Sequence, residues 1–204
     1  MLKIKKYILG PVSTNCYLLE EGSNFLLIDP SLGSFEKIFE KGKFQRMQIF
    51  LTHSHWDHIA DLHLWKEHCQ AEVWVHPLDA PNVETPGADL LPSLISFPGV
   101  KPDHFFKDQE EFAVFGTKAL ILHTPGHSPG GVCIYFPEKN VLFSGDTLFK
   151  GTIGNTSFPT SDREAMRHSL EKLATLPDNT SVYPGHGPET ILGEEFWIKN
   201  MKKT

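Results

Sequence analysis

Long apolar runs are missing from this 204-residue chain. None approaches the ~20 consecutive apolar residues that cross a bilayer. The N-terminal stretch MLKIKKYILGPVSTNCYLL also lacks the charged head and apolar segment of a signal peptide. Cysteine is scarce: Cys16, Cys69 and Cys133 are odd in number, widely spaced and never arranged Cys-x-x-Cys. That pattern argues against a disulfide framework and for free thiols in a reducing cytosol. Basic runs are lacking too. The net charge is −6 and the one short cluster is Lys202-Lys203, so no basic face is expected to track nucleic-acid phosphates. These absences predict a cytoplasmic chain that binds neither membrane nor nucleic acid. What remains is ordinary globular material, 40% hydrophobic and 22% charged, enough for one domain over residues 1–204.

Pattern places the elements. Lys3–Leu9 has strand character, and Asn15–Leu19 and Phe25–Ile28 read as a hairpin around Glu21-Gly22-Ser23. Phe35, Ile38 and Phe39 fall at helical spacing, with Gly42 as the expected stop. Met47–Leu51 is a buried strand, Ile59, Leu62, Trp65 and Cys69 mark a helix beginning near His58, and Val73–Val75 is a strand. Thr85–Pro102, dense in proline and glycine, is a surface loop whose Leu90, Leu91, Leu94, Ile95 and Phe97 are expected mainly to pack. Strands follow near 112–115, 119–123, 132–136 and 141–143, then a helix over 162–174 and a strand at 181–183. The two halves show a hint of repetition. CYLLEEGSNFLLID (Cys16–Asp29) and CIYFPEKNVLFSGD (Cys133–Asp146) share the same cysteine-to-aspartate spacing, each a hairpin delivering an aspartate at its end.

Chemistry concentrates at strand ends. Thr52-His53-Ser54-His55-Trp56-Asp57-His58 follows a core strand; His127 lies in TPGHSPGG, Asp146 in SGDTL and His186 in YPGHG. The three later residues adjoin a glycine, which lets backbone approach closely. His53 and His55 alternate on an extended segment, whereas Asp57 and His58 turn away as the helix starts. That spacing suits two neighbouring ions: His53, His55 and His127 for one, Asp57, His58 and His186 for the other, with Asp146 between them. Ser54 reads as a turn residue.

In order and spacing, H-x-H-x-D-H, the lone His, Gly-Asp and Gly-His resemble the metallo-β-lactamase-fold hydrolases over essentially the whole chain. The resemblance implies an α/β fold, a four-layer αββα sandwich with metals in a groove at one sheet edge. It implies that Asp29 orients a site residue, and that His63, His68, His104 and His168 are surface residues; His76 and His123 are set apart as alternative groove residues. The nitrogen and oxygen donors suit zinc, iron or manganese. Two such divalent ions hold an acidified water as hydroxide for attack on a carbonyl, with Asp57 and Asp146 as the catalytic carboxylates.

Within the fold, TPGHSPGG, SGDTLFKGTIGNT and PGHGPET look most like compact bacterial glyoxalase II-like proteins, which cleave S-acylglutathione thioesters. A thioester suits such a site because its thiolate departs without a proton. Two departures bear on substrate. No C-terminal helical glutathione-binding domain follows His186, and Asn155 and Ser157 stand where relatives carry Arg or Lys and Asp or Tyr. Asn155 is therefore the candidate substrate-binding residue. The rival readings are a persulfide dioxygenase holding one iron through His53, His127 and Asp146, and a metal-binding scaffold without activity. Flavin-linked diiron reductases place a carboxylate where His55 stands, and nucleases of the fold carry an inserted domain and a basic surface.

Overall fold

In the computed structural model, residues 3–44 and 47–200 are described, so the Lys202-Lys203 cluster lies outside them. The first half of the chain forms one six-stranded sheet, hydrogen-bonded in chain order. Its strands are β1 (Lys3–Leu9), β2 (Thr14–Glu21), β3 (Asn24–Ile28), β4 (Gln48–Phe50), β5 (Glu72–Val75) and β6 (His104–Phe105). The second half repeats the arrangement with β7 (Glu111–Val114), β8 (Thr117–His123), β9 (Val132–Phe136), β10 (Val141–Gly145), β11 (Ser181–Pro184) and β12 (Thr190–Ile191). In both sheets an antiparallel hairpin leads into a parallel neighbour: β2–β3 then β4, and β9–β10 then β11. These are the two hairpins of the Cys-to-Asp repeat.

Alternation along the strands explains the layers. Cys16, Leu18, Leu27 and Ile49 point outward to α1 (Ser34–Ile38), α2 (Trp56–Ile59), α3 (Leu62–His68) and α4 (Ala80–Glu84). Tyr17, Leu19, Leu26, Ile28 and Phe50 point inward and meet Ile121, Ile134 and Phe143 of the second sheet. Cys133, Tyr135 and Leu142 face outward again, onto α5 (Arg163–Leu173) and α6 (Trp197–Asn200). Strands buried on both faces read as continuous apolar runs, as β9 does. The order of layers is α, β, β, α.

Several boundaries differ from the pattern. The first helix ends at Ile38, not Gly42: Phe39 is already extended and stacks on Phe35. The helix of the THSHWDH segment begins at Trp56 and is interrupted after Ile59, because the Asp61 N–H bonds to the Pro30 carbonyl. Helix α5 matches its spacing, with Met166, Leu170 and Leu173 buried and the Asp162 carboxylate accepting from Glu164 N and Ala165 N as its cap. Strands β6 and β12, of two residues each, and the five-residue α4 carry too few residues to show a period. Among the described residues no helix is long and apolar enough to cross a membrane.

Candidate metal centre

Strands β3, β4, β8, β10 and β11 all deliver their C-terminal ends to one edge of the sandwich. There Asp29, the 52–58 segment, His127, Asp146 and His186 converge. His55, extended, caps α2, and the helix that starts at Trp56 turns Asp57 and His58 away from His53 and His55. The result is two clusters, His53/His55/His127 and Asp57/His58/His186, each with ligand-type atoms within 4.8 Å of one another, and a third such grouping, Asp29/His53/His58, that joins them. Asp146 lies between them. Its Oδ2 is 3.3 Å from His127 Nε2 and 3.5 Å from His186 Nε2, and its Oδ1 is 3.4 Å from His58 Nε2. Glycine permits this crowding: a Cβ on Gly185 would lie 2.1 Å from Asp146 Oδ1.

Outer contacts decide which ring nitrogens face inward. His58 Nδ1 bonds Asp29 Oδ2 at 2.9 Å, and His127 Nδ1 bonds the Asn155 carbonyl at 2.8 Å. His53 Nδ1 lies 3.1 Å from the Thr52 hydroxyl, which itself donates to Asp29 at 2.6 Å. Each contact leaves Nε2 as the inward atom, and His127 Nε2 lies 2.8 Å from His55 Nδ1 and His58 Nε2 3.3 Å from His186 Nε2. Asp29, the residue read as an orienter, thus serves both clusters. Fit to a cation follows from what is left over: His53 Nε2, His55 Nε2 and Asp146 Oδ1 are buried without a hydrogen-bond partner, a costly state for protein polar atoms alone.

Electrostatics divide the clusters. Burial, reinforced by the neighbouring histidines, holds His53 well below its usual range and His55 at about 2. Burial opposes charge on His58 as well, but Asp57, Asp146 and Asp29 outweigh it and push its pKa up to about 10. His186 is raised in the same way, against burial, by Asp57 and Asp146. Burial likewise works against charge on Asp57; His58, His186 and the Thr14 hydroxyl overcome it and hold the carboxyl low.

Residues outside the motifs support the second cluster. Thr14 Oγ1 donates to Asp57 Oδ2 at 2.7 Å. Asn15 Nδ2 and the Tyr17 hydroxyl both donate to the Pro184 carbonyl, at 2.9 and 2.7 Å, and fix the loop that carries His186. Their one signal in the sequence is an unusually polar start to a buried strand.

Above the clusters lies a groove of about 310 Å³, walled by Val12, Trp56, Leu91, Phe149 and Phe158; no lysine or arginine is among its lining residues. Asn155 borders it, exposed, with its Oδ1 accepting from Ser157 N. Of the long-loop side chains, Leu91 joins the groove wall while Phe97 packs on the core. His76 and His123 do not line the groove; they stack on each other, centroids 4.0 Å apart and 8° from parallel. A larger hollow of about 650 Å³ opens at the opposite strand ends, with Glu72 its only ionisable residue among the described ones.

The profile of the metallo-beta-lactamase superfamily matches residues 9–186. A probable metallo-hydrolase from Streptococcus pyogenes serotype M6 is 34% identical, over 96% of this chain and 88% of its own. The hydroxyacylglutathione hydrolase GloC of Haemophilus influenzae is 33% identical over 89% of each chain. The crystal structure of TTHA1623 in a di-iron-bound form superposes with a TM-score of 0.76 and 37% identity, over 94% of this chain and 96% of the other. With histidines and aspartates gathered at one edge of an αββα sandwich, and a profile match running through both sheets, the chain belongs to the metallo-beta-lactamase superfamily, as a relative of its metallo-hydrolases.

Proposed function

We propose that the protein is a metal-dependent thioester hydrolase of the glyoxalase II-like kind, acting on S-acylglutathione or a related thioester. The observation that carries the reading is the pair of clusters bracketing the single carboxylate of Asp146. His53, His55 and His127 would hold one divalent ion, Asp57, His58 and His186 the other, and Asp146 both. The donor set of nitrogen and oxygen suits zinc, iron or manganese, and the di-iron form of a relative keeps iron in view. Bound there, the ions would supply an acidified water and a polarised thioester carbonyl.

The chain's own residues do the rest. Asp57 Oδ2 is engaged by Thr14 and lies 3.2 Å from His186 Nε2, which leaves Oδ1 to accept a hydrogen bond from the attacking water and aim it. Asp29 and the Asn155 carbonyl keep His58 and His127 in one tautomer through the reaction. The apolar groove wall excludes bulk water from the acyl group, and no general acid is required because a thiolate is a competent leaving group. Asn155 stands at the groove to hydrogen-bond the substrate through its amide. The similarity to a hydroxyacylglutathione hydrolase supports the thioester class.

The test is hydrolysis of a panel of glutathione and coenzyme A thioesters by protein loaded with zinc, iron or manganese. Turnover of one or more, with two ions per chain, is the expected result. One iron per chain, with oxygen uptake on glutathione persulfide and no thioester cleavage, would replace this reading with a dioxygenase.

A further inference from the structure

Ser54, between His53 and His55, is buried, and both of its peptide groups are held from outside its own segment. The Ser54 N–H donates to Asp79 Oδ2 at 2.9 Å. Its carbonyl accepts from Asn82 Nδ2 at 2.6 Å, and the same amide lies 3.2 Å from the Ser54 hydroxyl. The second oxygen of Asp79 accepts from Gly130 N at 2.6 Å, three residues beyond His127. A Cβ at Gly130 would sit 2.6 Å from that oxygen, so only glycine lets the loop come this close.

Asp79 stands at the N-cap position of α4 yet makes no side-chain cap bond. It is 2% exposed and, among the described residues, has no cation in ion-pair reach. Burial pushes its carboxyl above the usual range. A buried carboxylate satisfied largely by backbone N–H groups is a costly way to join two loops. A cap alone would not require it, since Ser or Asn would serve. Asn82 extends the link. Its Oδ1 accepts from Gly87 N and Asp89 N, its Nδ2 meets Asp89 Oδ2 at 3.0 Å, and Asp89 Oδ1 accepts from Leu91 N at 3.0 Å. Leu91 is part of the groove wall.

We propose that Asp79 and Asn82 are positioning residues for the three-histidine half: Asp79 pins the His53–His55 segment to the His127 loop, and Asn82 ties that pin to the groove wall at Leu91. The inference rests on the reading of His53, His55 and His127 as ligands of one ion.

Calorimetric titration of the metal-free chain with Zn²⁺ tests it. Wild type is expected to show two binding steps, with His55→Ala removing one and thereby identifying it. Asp79→Asn keeps the volume but turns an amide towards a backbone N–H. It should weaken the step identified by His55→Ala by about 10–100-fold and leave the other unchanged. Asn82→Ala should weaken the same step and also raise KM at saturating metal more than it lowers kcat, because the groove wall is released. Should Asp79→Asn fail to fold, Asn82→Ala carries the same metal readout. Equal weakening of both steps with a lower metal-free Tm, or no weakening of either, overturns the proposal. A wild type without two steps, or a His55→Ala variant that keeps both, defeats the ligand reading itself.

Discussion

On one side of Asp146 three histidines face one another, with Asp29 reached only through the Thr52 hydroxyl at His53; on the other, Asp57 sits directly beside His58 and His186. His53, His55 and His58 are equally buried, all 3% exposed or less, although Asp57 and His186 are only partly buried. The charge state is opposite. In the first half, burial and like neighbours keep His53 and His55 neutral at any ordinary pH. In the second, the carboxylates of Asp57, Asp146 and Asp29 overcome burial and hold a proton on His58. Between the equally buried His53 and His58, direct contact with carboxylates makes the difference in charge. A cation entering the first half meets free lone pairs. One entering the second must first displace a proton.

The largest expected effect comes from removing the residue common to both halves. Asp146→Ala should lower thioester hydrolysis by on the order of 10²–10⁴-fold with the far-ultraviolet circular dichroism unchanged, and His55→Ala should do the same from the first half alone. Unchanged turnover in either variant would break the two-cluster account.

Next is the pH dependence of metal binding. Because the His58 pKa lies near 10 and that of His186 is raised too, whereas burial holds His53 low and His55 near 2, the ion at Asp57, His58 and His186 should bind with at least one proton released between pH 6 and 8, and with more than the other ion releases. Affinity for that ion should therefore rise about tenfold or more per pH unit, which calorimetry in buffers of different ionisation enthalpy reads directly. Equal proton release at both steps would erase the contrast.

Thr14→Val strikes the charged half only. It removes the hydroxyl donor to Asp57, and should weaken one ion by about 10–100-fold while the step lost in His55→Ala stays intact.

The smallest effect sharpens the rule outside the centre. Burial and the stacked His123 push His76 down to about 4. The unfolded chain takes up that proton below pH 6.5 and the folded chain does not, so the stability it contributes is full above pH 6.5 and is lost as pH falls towards 4. His76→Gln should flatten urea-unfolding stability over that window by about 1–3 kcal/mol.

Much of the centre is legible in the amino-acid sequence. The residues of both clusters stand out because each follows an apolar strand, and the Cys16–Asp29 and Cys133–Asp146 repeats place an aspartate at each hairpin's end. Asp29 and Asp146 indeed reach opposite nitrogens of His58. The supports are not legible. Thr14 and Asn15 show only as a polar strand start, and Asp79 and Asn82 fall in no motif; their partners at the centre are 25 to 169 residues away. Local pattern carries no record of such distance. The Asn155 carbonyl, which fixes the His127 tautomer, is a backbone atom with no signature at all.

The proposed chemistry requires that two ions act together across Asp146. Metal-free protein titrated with Zn²⁺, with thioester hydrolysis followed at each addition, tests it most directly. Little turnover is expected up to one equivalent, followed by a rise that levels at two. Full activity at one equivalent, with no further gain at two, would contradict it.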